Sequence, residues 1–396
     1  MKKLVSILCF LTVTLLIGVV HGVTGDVRGV KKDTITIGGL GDMTGPAASQ
    51  TLHAINAWKN YTRHLNEQGG INGKKVILKM EDDRYSIPAT IGGFKKLVFK
   101  DKILALLGPL VTGGVVALTP QVLKEKVPNI VPNSAEEVVN PFKRYIFNSG
   151  ATYPDNMNLI FDYIMKRHEN PRIGYVYPDN EAGKAGFRAV KERAKHYNVK
   201  VVSAEVLNFG AVDATSQVLN LRRKKADNII ILGITSHAAC LLRSSRKFGL
   251  NVNFYGSTYT CDEDLIPLAG KSVEKFIGAQ CFNSWYDDSP AMDEVRNITL
   301  KYHPGTEKPY RLKLYVQGWV MIQMFEEAIK RAWDNLSGES VVAALESFDN
   351  FETGLCPPIT FGPERRKASD YQRLFKVDMD KGMFIPITDW IKPGEL

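Results

Sequence analysis

The sequence predicts an α/β fold of the doubly wound class, spread over about two domains. Three observations carry that expectation. Short apolar runs alternate, over most of the chain, with segments whose apolar residues recur at spacings of three and four. Runs such as Ile103-Leu104-Ala105-Leu106-Leu107 are apolar without interruption, as suits parallel strands covered on both faces. The 396 residues also exceed what one hydrophobic core usually organises.

Taken in order, Met1-Lys2-Lys3 is a basic start, Leu4 to Val20 is almost wholly apolar, and small residues follow at Gly22 and Gly25. At roughly 17 residues the run sits at the short limit for a membrane span, and no basic cluster follows it. Residues 1–25 therefore read as a cleaved secretory signal. Cys9 lies inside the apolar run, which speaks against a lipid-modified mature start.

Strands are expected at Thr34–Gly38, Val76–Met80, Ile103–Leu107, Asn129–Val131 and Tyr145–Asn148. A second set follows at Arg172–Tyr177, Lys200–Glu205, Asn228–Leu232, Asn253–Tyr255 and Phe276–Phe282. Helices fill the gaps: Ile55, Trp58 and Leu65 form one apolar stripe, and Leu159, Tyr163 and Met165 fall within another. Two long helical patterns, Asp293–Tyr302 and Arg311–Arg331, break the alternation, as does a late strand pair around Ile359–Phe361 and Leu374–Asp378. That last quarter reads as completing sheets begun earlier.

The formal charge is +9 before Lys2 and Lys3 leave with the signal, and it is dispersed. Runs such as Arg222-Arg223-Lys224-Lys225 are short enough to be solvated helix ends, so no nucleic-acid partner is expected. Cys240, Cys261, Cys281 and Cys356 remain, none in Cys-x-x-Cys spacing, so zinc and thioredoxin-type sites are not expected. In an exported chain they have three possible pairings. Cys261 with Cys281 is the preferred one, and buried free thiols are the alternative.

Gly39-x-Gly41-x-x-x-Gly45 follows a strand and precedes a helix, which invites a dinucleotide reading. The third glycine is one residue late, Pro46 follows it, and Glu81 lies about 40 residues on, where about 20 is usual. No nucleotide or other cofactor is expected. Nor does the sequence contain G-x-S-x-G or H-E-x-x-H, and its seven histidines are scattered. Neither a catalytic residue nor a metal site is expected. Glu81-Asp82-Asp83 reads as a polar loop at a strand end.

A binding reading starts from Leu107-Gly108-Pro109-Leu110-Val111-Thr112-Gly113-Gly114. This loop leaves a buried parallel strand and opens a helix, where ligands dock and unpaired N–H groups attract anions. Thr112 adds a hydroxyl, either for its own helix cap or for a ligand.

Two segments carry a resemblance to a known family. They are Ile35-Thr36-Ile37-Gly38-Gly39-Leu40-Gly41-Asp42-Met43-Thr44-Gly45-Pro46 and Leu65-Asn66-Glu67-Gln68-Gly69-Gly70-Ile71-Asn72-Gly73-Lys74-Lys75-Val76. From about Asp33 to near its end, the chain resembles the periplasmic solute-binding proteins of ABC importers, in the branched-chain amino acid (leucine/isoleucine/valine-binding) family. The resemblance implies a type I periplasmic binding protein, with two doubly wound parallel-sheet lobes on a three-strand hinge. Lobe I would hold 33–148 plus 284–368, and lobe II 149–283 plus 369–396. The crossings would fall near Phe147–Ala151, Phe282–Trp285 and Ala368–Tyr371.

By the same resemblance Thr112 would bond a ligand carboxylate, with Leu110 beside it. Ser134 falls in register with the family's next site segment, while Ala135 occupies a threonine place. In the second lobe Glu181 stands where an aromatic residue is usual. Thr235 follows the Asn228–Leu232 strand, and Thr258 falls where amino-acid binders carry an acid for the ammonium. A buried ammonium lacking a carboxylate costs several kcal/mol. Unless Glu181 or Asp262 reaches in, the ligand is therefore something other than an ordinary α-amino acid. Tyr85, Tyr153 and Tyr259 would then line a pocket for a flatter or more apolar solute, with Gln50 completing the candidate set. Each tyrosine also has a structural reading, half-buried in its own lobe.

The implied function is capture of a small solute and its delivery, unaltered, to a membrane permease and its ATPase at the inner membrane. Candidate solutes are a branched-chain amino acid or a related apolar or aromatic carboxylate or amide. The protein would act in the periplasm as a monomer. An exported α/β enzyme and a ligand-sensing module are the alternatives.

Overall fold

The computed structural model describes residues 27–132, 134–305 and 311–396; the expected signal, 1–25, lies outside them. The first sheet holds β1 (Thr34–Gly41), β2 (Lys75–Asp82), β3 (Leu106–Leu107), β4 (Asn129–Val131) and β5 (Ile146–Asn148). Their order is β2-β1-β3-β4-β5, parallel throughout. Its connections carry α1 (Ala48–Glu67), α2 (Ile87–Lys95) and α3 (Thr112–Glu125). Both faces are covered: Gly38 of β1 looks toward Ile103 and Leu97, and Gly39 toward Met80 and Trp58. Ile55, Trp58 and Leu65 are the buried stripe of α1 that the sequence predicts.

The second sheet holds β6 (Ile173–Tyr177), β7 (Val201–Val206), β8 (Asn228–Ile231), β9 (Asn253–Gly256) and β10 (Phe276–Gln280). Its helices are α4 (Tyr153–Arg167), α5 (Glu181–His196), α6 (Thr215–Arg223), α7 (Thr235–Lys247) and the short α8 (Leu265–Ala269). The chain then returns to the first body through α9 (Pro290–Tyr302), α10 (Lys313–Arg331) and α11 (Gly338–Glu346). Trp319, Val320 and Phe325 of α10 share one buried core with Ile35, Ile55 and Trp58. Finally β11 (Arg373–Asp378) and β12 (Met383–Pro386) complete the second sheet, in the order β12-β11-β10-β9-β8-β6-β7. β11 runs antiparallel to both its neighbours.

The chain thus passes between the two bodies three times: after β5, after β10 and before β11. Two of these passages lie side by side, where the Ala368 N–H donates to the Asn148 carbonyl at 3.0 Å.

Two expectations need correction. Ile359–Phe361 does not pair with Leu374–Asp378; Ile359 only bridges Phe351, and the partners of β11 are β10 and β12. Pro357, Pro358 and Pro363 flank that segment and remove the donors a longer ladder needs. The Cys261–Cys281 bridge is also not formed. Cys261 is a free, fully buried thiol packed against Gly278, and the Cys281 sulfur lies 3.8 Å from the Thr258 hydroxyl. Burial raises the Cys261 thiol pKa.

Each sheet reverses strand order once, between β1 and β3 in the first and between β6 and β8 in the second. Ligands of open α/β sheets bind outside the carboxyl ends of strands at such reversals.

Candidate functional site

The loops leaving both reversal points meet around one cavity of about 60 Å³. From the first body come Ala47, Gln50 and Thr51 after β1, and Leu110, Val111 and Thr112 after β3. From the second come Pro178, Asn180 and Ala182 after β6, and Leu232, Gly233 and Ile234 after β8. Four rings, Tyr85, Tyr153, Phe209 and Tyr259, close the remaining walls with Leu314.

The loops are held by their own polar groups. Asp42, at the end of β1, accepts the N–H of Gly45 at 2.5 Å and of Ala47 at 2.8 Å, turning the chain into α1. The acidic cluster after β2 does similar work. Asp82 accepts from the Met43 N–H and the Thr44 hydroxyl, Asp83 accepts the Tyr85 N–H at 2.9 Å, and Glu81 pairs with Lys96. These acids shape loops and do not line the cavity. Gly108 lets the chain leave β3 against the Leu40 carbonyl: its φ is +87°, and a Cβ there would collide with that oxygen.

Thr112 is buried at the start of α3, where the preceding Val111 supplies no side-chain cap. Its hydroxyl lies 3.2 Å from that of Tyr153 and accepts from Ser134 at 3.3 Å. Ser134 therefore sits one bond behind the wall, and Ala135 is buried beside it without lining the cavity.

Contacts cross between the two bodies. Gln50 Nε2 donates to the Thr235 hydroxyl at 2.8 Å, and Asn180 Nδ2 to the Tyr85 hydroxyl at 3.0 Å. The Tyr85 and Phe209 rings meet at 5.1 Å. Arg188 and Glu137, both well exposed, form a further ion pair between them.

Of the sequence candidates, Gln50, Tyr85, Leu110, Thr112, Tyr153 and Tyr259 reach the cavity. Thr235 stands behind Gln50. Thr258 is turned away: its N–H and hydroxyl both bond Asn156 Oδ1, at 3.0 and 2.7 Å. Glu181 is exposed on the first turn of α5, and its neighbours Asn180 and Ala182 face inward instead. Asp262 is fully engaged elsewhere, accepting the Lys313 N–H at 2.8 Å beside the buried Lys313–Glu263 ion pair. Phe209 and Asn180 were missed by sequence reasoning. Asn180 carried a signal, since it caps α5 by accepting the Gly183 N–H at 2.9 Å; Phe209 follows β7 with no periodicity to mark it.

Among the described residues, no side chain lining the cavity is charged. Two titratable groups outside the lining are shifted by burial. His237 is buried edge-on to Phe209, with ring centroids 4.7 Å apart, and its Nδ1 accepts the Ile234 N–H. Burial pushes its pKa down to about 4, so the ring is neutral at pH 7. Burial pushes Asp264 the other way, to about 6. Among the described residues there is no cluster of His, Cys, Asp or Glu able to hold a metal ion, and no helix long and apolar enough to cross a membrane.

A family model described as "Periplasmic binding protein" matches residues 34–382. The Leu/Ile/Val/Thr-binding protein of Salmonella typhimurium is 24% identical over 260 residues, covering 65% of this chain and 70% of its own. Among solved structures, a branched-chain amino acid ABC transporter protein from Thermus thermophilus with bound valine shares the fold. Its TM-score is 0.87 at 22% identity, over 92% of this chain and 98% of that one. A fatty acid ABC transporter substrate-binding protein from Thermomonospora curvata does so with a TM-score of 0.84 at 22% identity, over 94% and 95%.

Proposed function

This chain belongs to the periplasmic binding protein family, and we propose that it is the solute-capturing component of an ABC importer. It would take up a small apolar or aromatic solute between its halves and release it unaltered to a membrane permease and ATPase. The single observation that carries this reading is the convergence of both sheet reversal points on one cavity, bridged by Gln50–Thr235 and Tyr85–Asn180. A cavity walled equally by two hinged bodies suits a ligand that binds their closed arrangement better than their open one.

The division we assign is 33–148 plus 284–368 for lobe I and 149–283 plus 369–396 for lobe II; the separate buried cores support it. The solute docks first on lobe I, against Leu110, Thr112 and the uncapped N–H groups of α3. Lobe II then brings Tyr153, Phe209 and Tyr259 over it. Residues 1–25 direct the chain to the periplasm and are removed there, and the mature chain works as a monomer.

Thermal-shift screening of the mature protein against apolar amino acids, aliphatic and aromatic carboxylates and amides tests the reading. A ligand held only by the folded form raises the apparent melting temperature. A saturable shift is expected, with the solute recovered unchanged by mass spectrometry. Chemical conversion of the solute, or no shift with any class, would end the proposal.

A further inference from the structure

Gln50 is 4% exposed and lines the cavity, yet its amide oxygen Oε1 has no hydrogen-bond partner. The amide's orientation follows from what lies behind it. Its Nε2 is 2.8 Å from the Thr235 hydroxyl. That hydroxyl carries one proton, and the acceptor in reach of it is the Tyr259 carbonyl at 3.5 Å. Thr235 can give its proton to that carbonyl while accepting from Gln50. With Nε2 toward Thr235, a carbonyl oxygen is what the amide presents to the cavity wall.

A buried carbonyl without a partner is rare enough in folded proteins to call for an explanation. From it, together with the uncharged lining, we infer that the solute gives Gln50 Oε1 a neutral N–H or O–H donor, as a primary amide or a hydroxyl does, and is not a zwitterionic α-amino acid. The inference rests on the solute-capture reading and narrows it. An ammonium here would meet a neutral carbonyl while losing its water, with no lining carboxylate to balance it. Asp264 is not among the residues that line the cavity. At the other wall, the Thr112 hydroxyl and the uncapped start of α3 suit a carbonyl or carboxylate oxygen. The four rings suit an apolar body.

Titration calorimetry of the mature protein with two matched series tests this. On an isobutyl skeleton the probes are leucine, 2-hydroxyisocaproate, isocaproamide and isocaproate. On a benzyl skeleton they are phenylalanine, phenyllactate, 3-phenylpropanamide and 3-phenylpropanoate. The hydroxyl or amide member of at least one series should bind about tenfold tighter than its amino acid. Gln50→Leu should reduce that preference to under about threefold, and Gln50→Glu should turn it toward the amino acid, with melting temperatures confirming that both variants fold. An amino acid binding as tightly as its hydroxy analogue overturns this inference and leaves solute capture standing. So does a preference that survives Gln50→Leu in a folded protein. No saturable binding by any probe overturns both.

Discussion

Asp83 is fully buried, and its Oδ2 has no hydrogen-bond partner. Burial pushes its pKa up to about 6, so above that pH the site holds a charge it disfavours. The destabilisation is complete above pH 6 and absent once the carboxyl is protonated in both folded and unfolded chains, below about pH 4. Asp83→Asn keeps an acceptor for the Tyr85 N–H, so it should raise stability at pH 7.5 by up to about 3 kcal/mol and by almost nothing at pH 4. His237 acts with the opposite sign. Its pKa is depressed to about 4, so the unfolded chain binds a proton more readily between pH 4 and 6.5, and stability falls on acidification through that window. His237→Gln should flatten that fall. Urea midpoints at pH 7.5, 5 and 4 measure both effects. Thr112 is the residue whose role bears most directly on affinity: Thr112→Ala should weaken an identified solute about tenfold by calorimetry.

Among elements, the loop from β3 into α3 was the most legible part of the site. A buried parallel strand, a glycine and a helix start are all visible in the sequence, and Leu110 and Thr112 do line the cavity. Thr258 and Tyr259 were not separable by such reasoning. A short helical turn spans Thr258–Thr260. It sends Thr258 to Asn156 and Tyr259 to the cavity, a distinction that no period in the sequence encodes. Phe209 was invisible for a related reason, since its position depends on Tyr85 and His237 meeting it from other segments. The loop itself makes a sharper prediction. Gly108→Ala puts a methyl group against the Leu40 carbonyl at positive φ, so it should destabilise by about 2 kcal/mol or more in chemical denaturation. Gly113, whose nearest neighbour is an Ile87 methyl at 3.6 Å, should accept alanine with little loss.

At the scale of the whole molecule, alternation and uninterrupted apolar strands made the two-sheet architecture readable. The pairing of β11 with β12 was not, because antiparallel partners at a sheet edge carry weak patterns of their own. The closed arrangement depends on contacts between bodies, and the Tyr85–Asn180 bond can be tested by a double-mutant cycle. Tyr85→Phe and Asn180→Ala should each weaken solute binding several-fold, and together little more than either alone. Fully additive losses would show that the two side chains act separately. Small-angle scattering with and without solute should report compaction in the parent protein.

The late arrival of β11 bears on how the molecule is assembled. β10 is made long before the strand that covers its open edge, and the entire stretch that finishes the first body lies between them. A growing polypeptide must therefore leave that edge bare while α9, α10 and α11 find their places elsewhere. During that interval the second half is exposed to strand-to-strand clumping. Chains broken off anywhere between Gln280 and Arg373 should be found in aggregates, even though all the helices of the second half have been made.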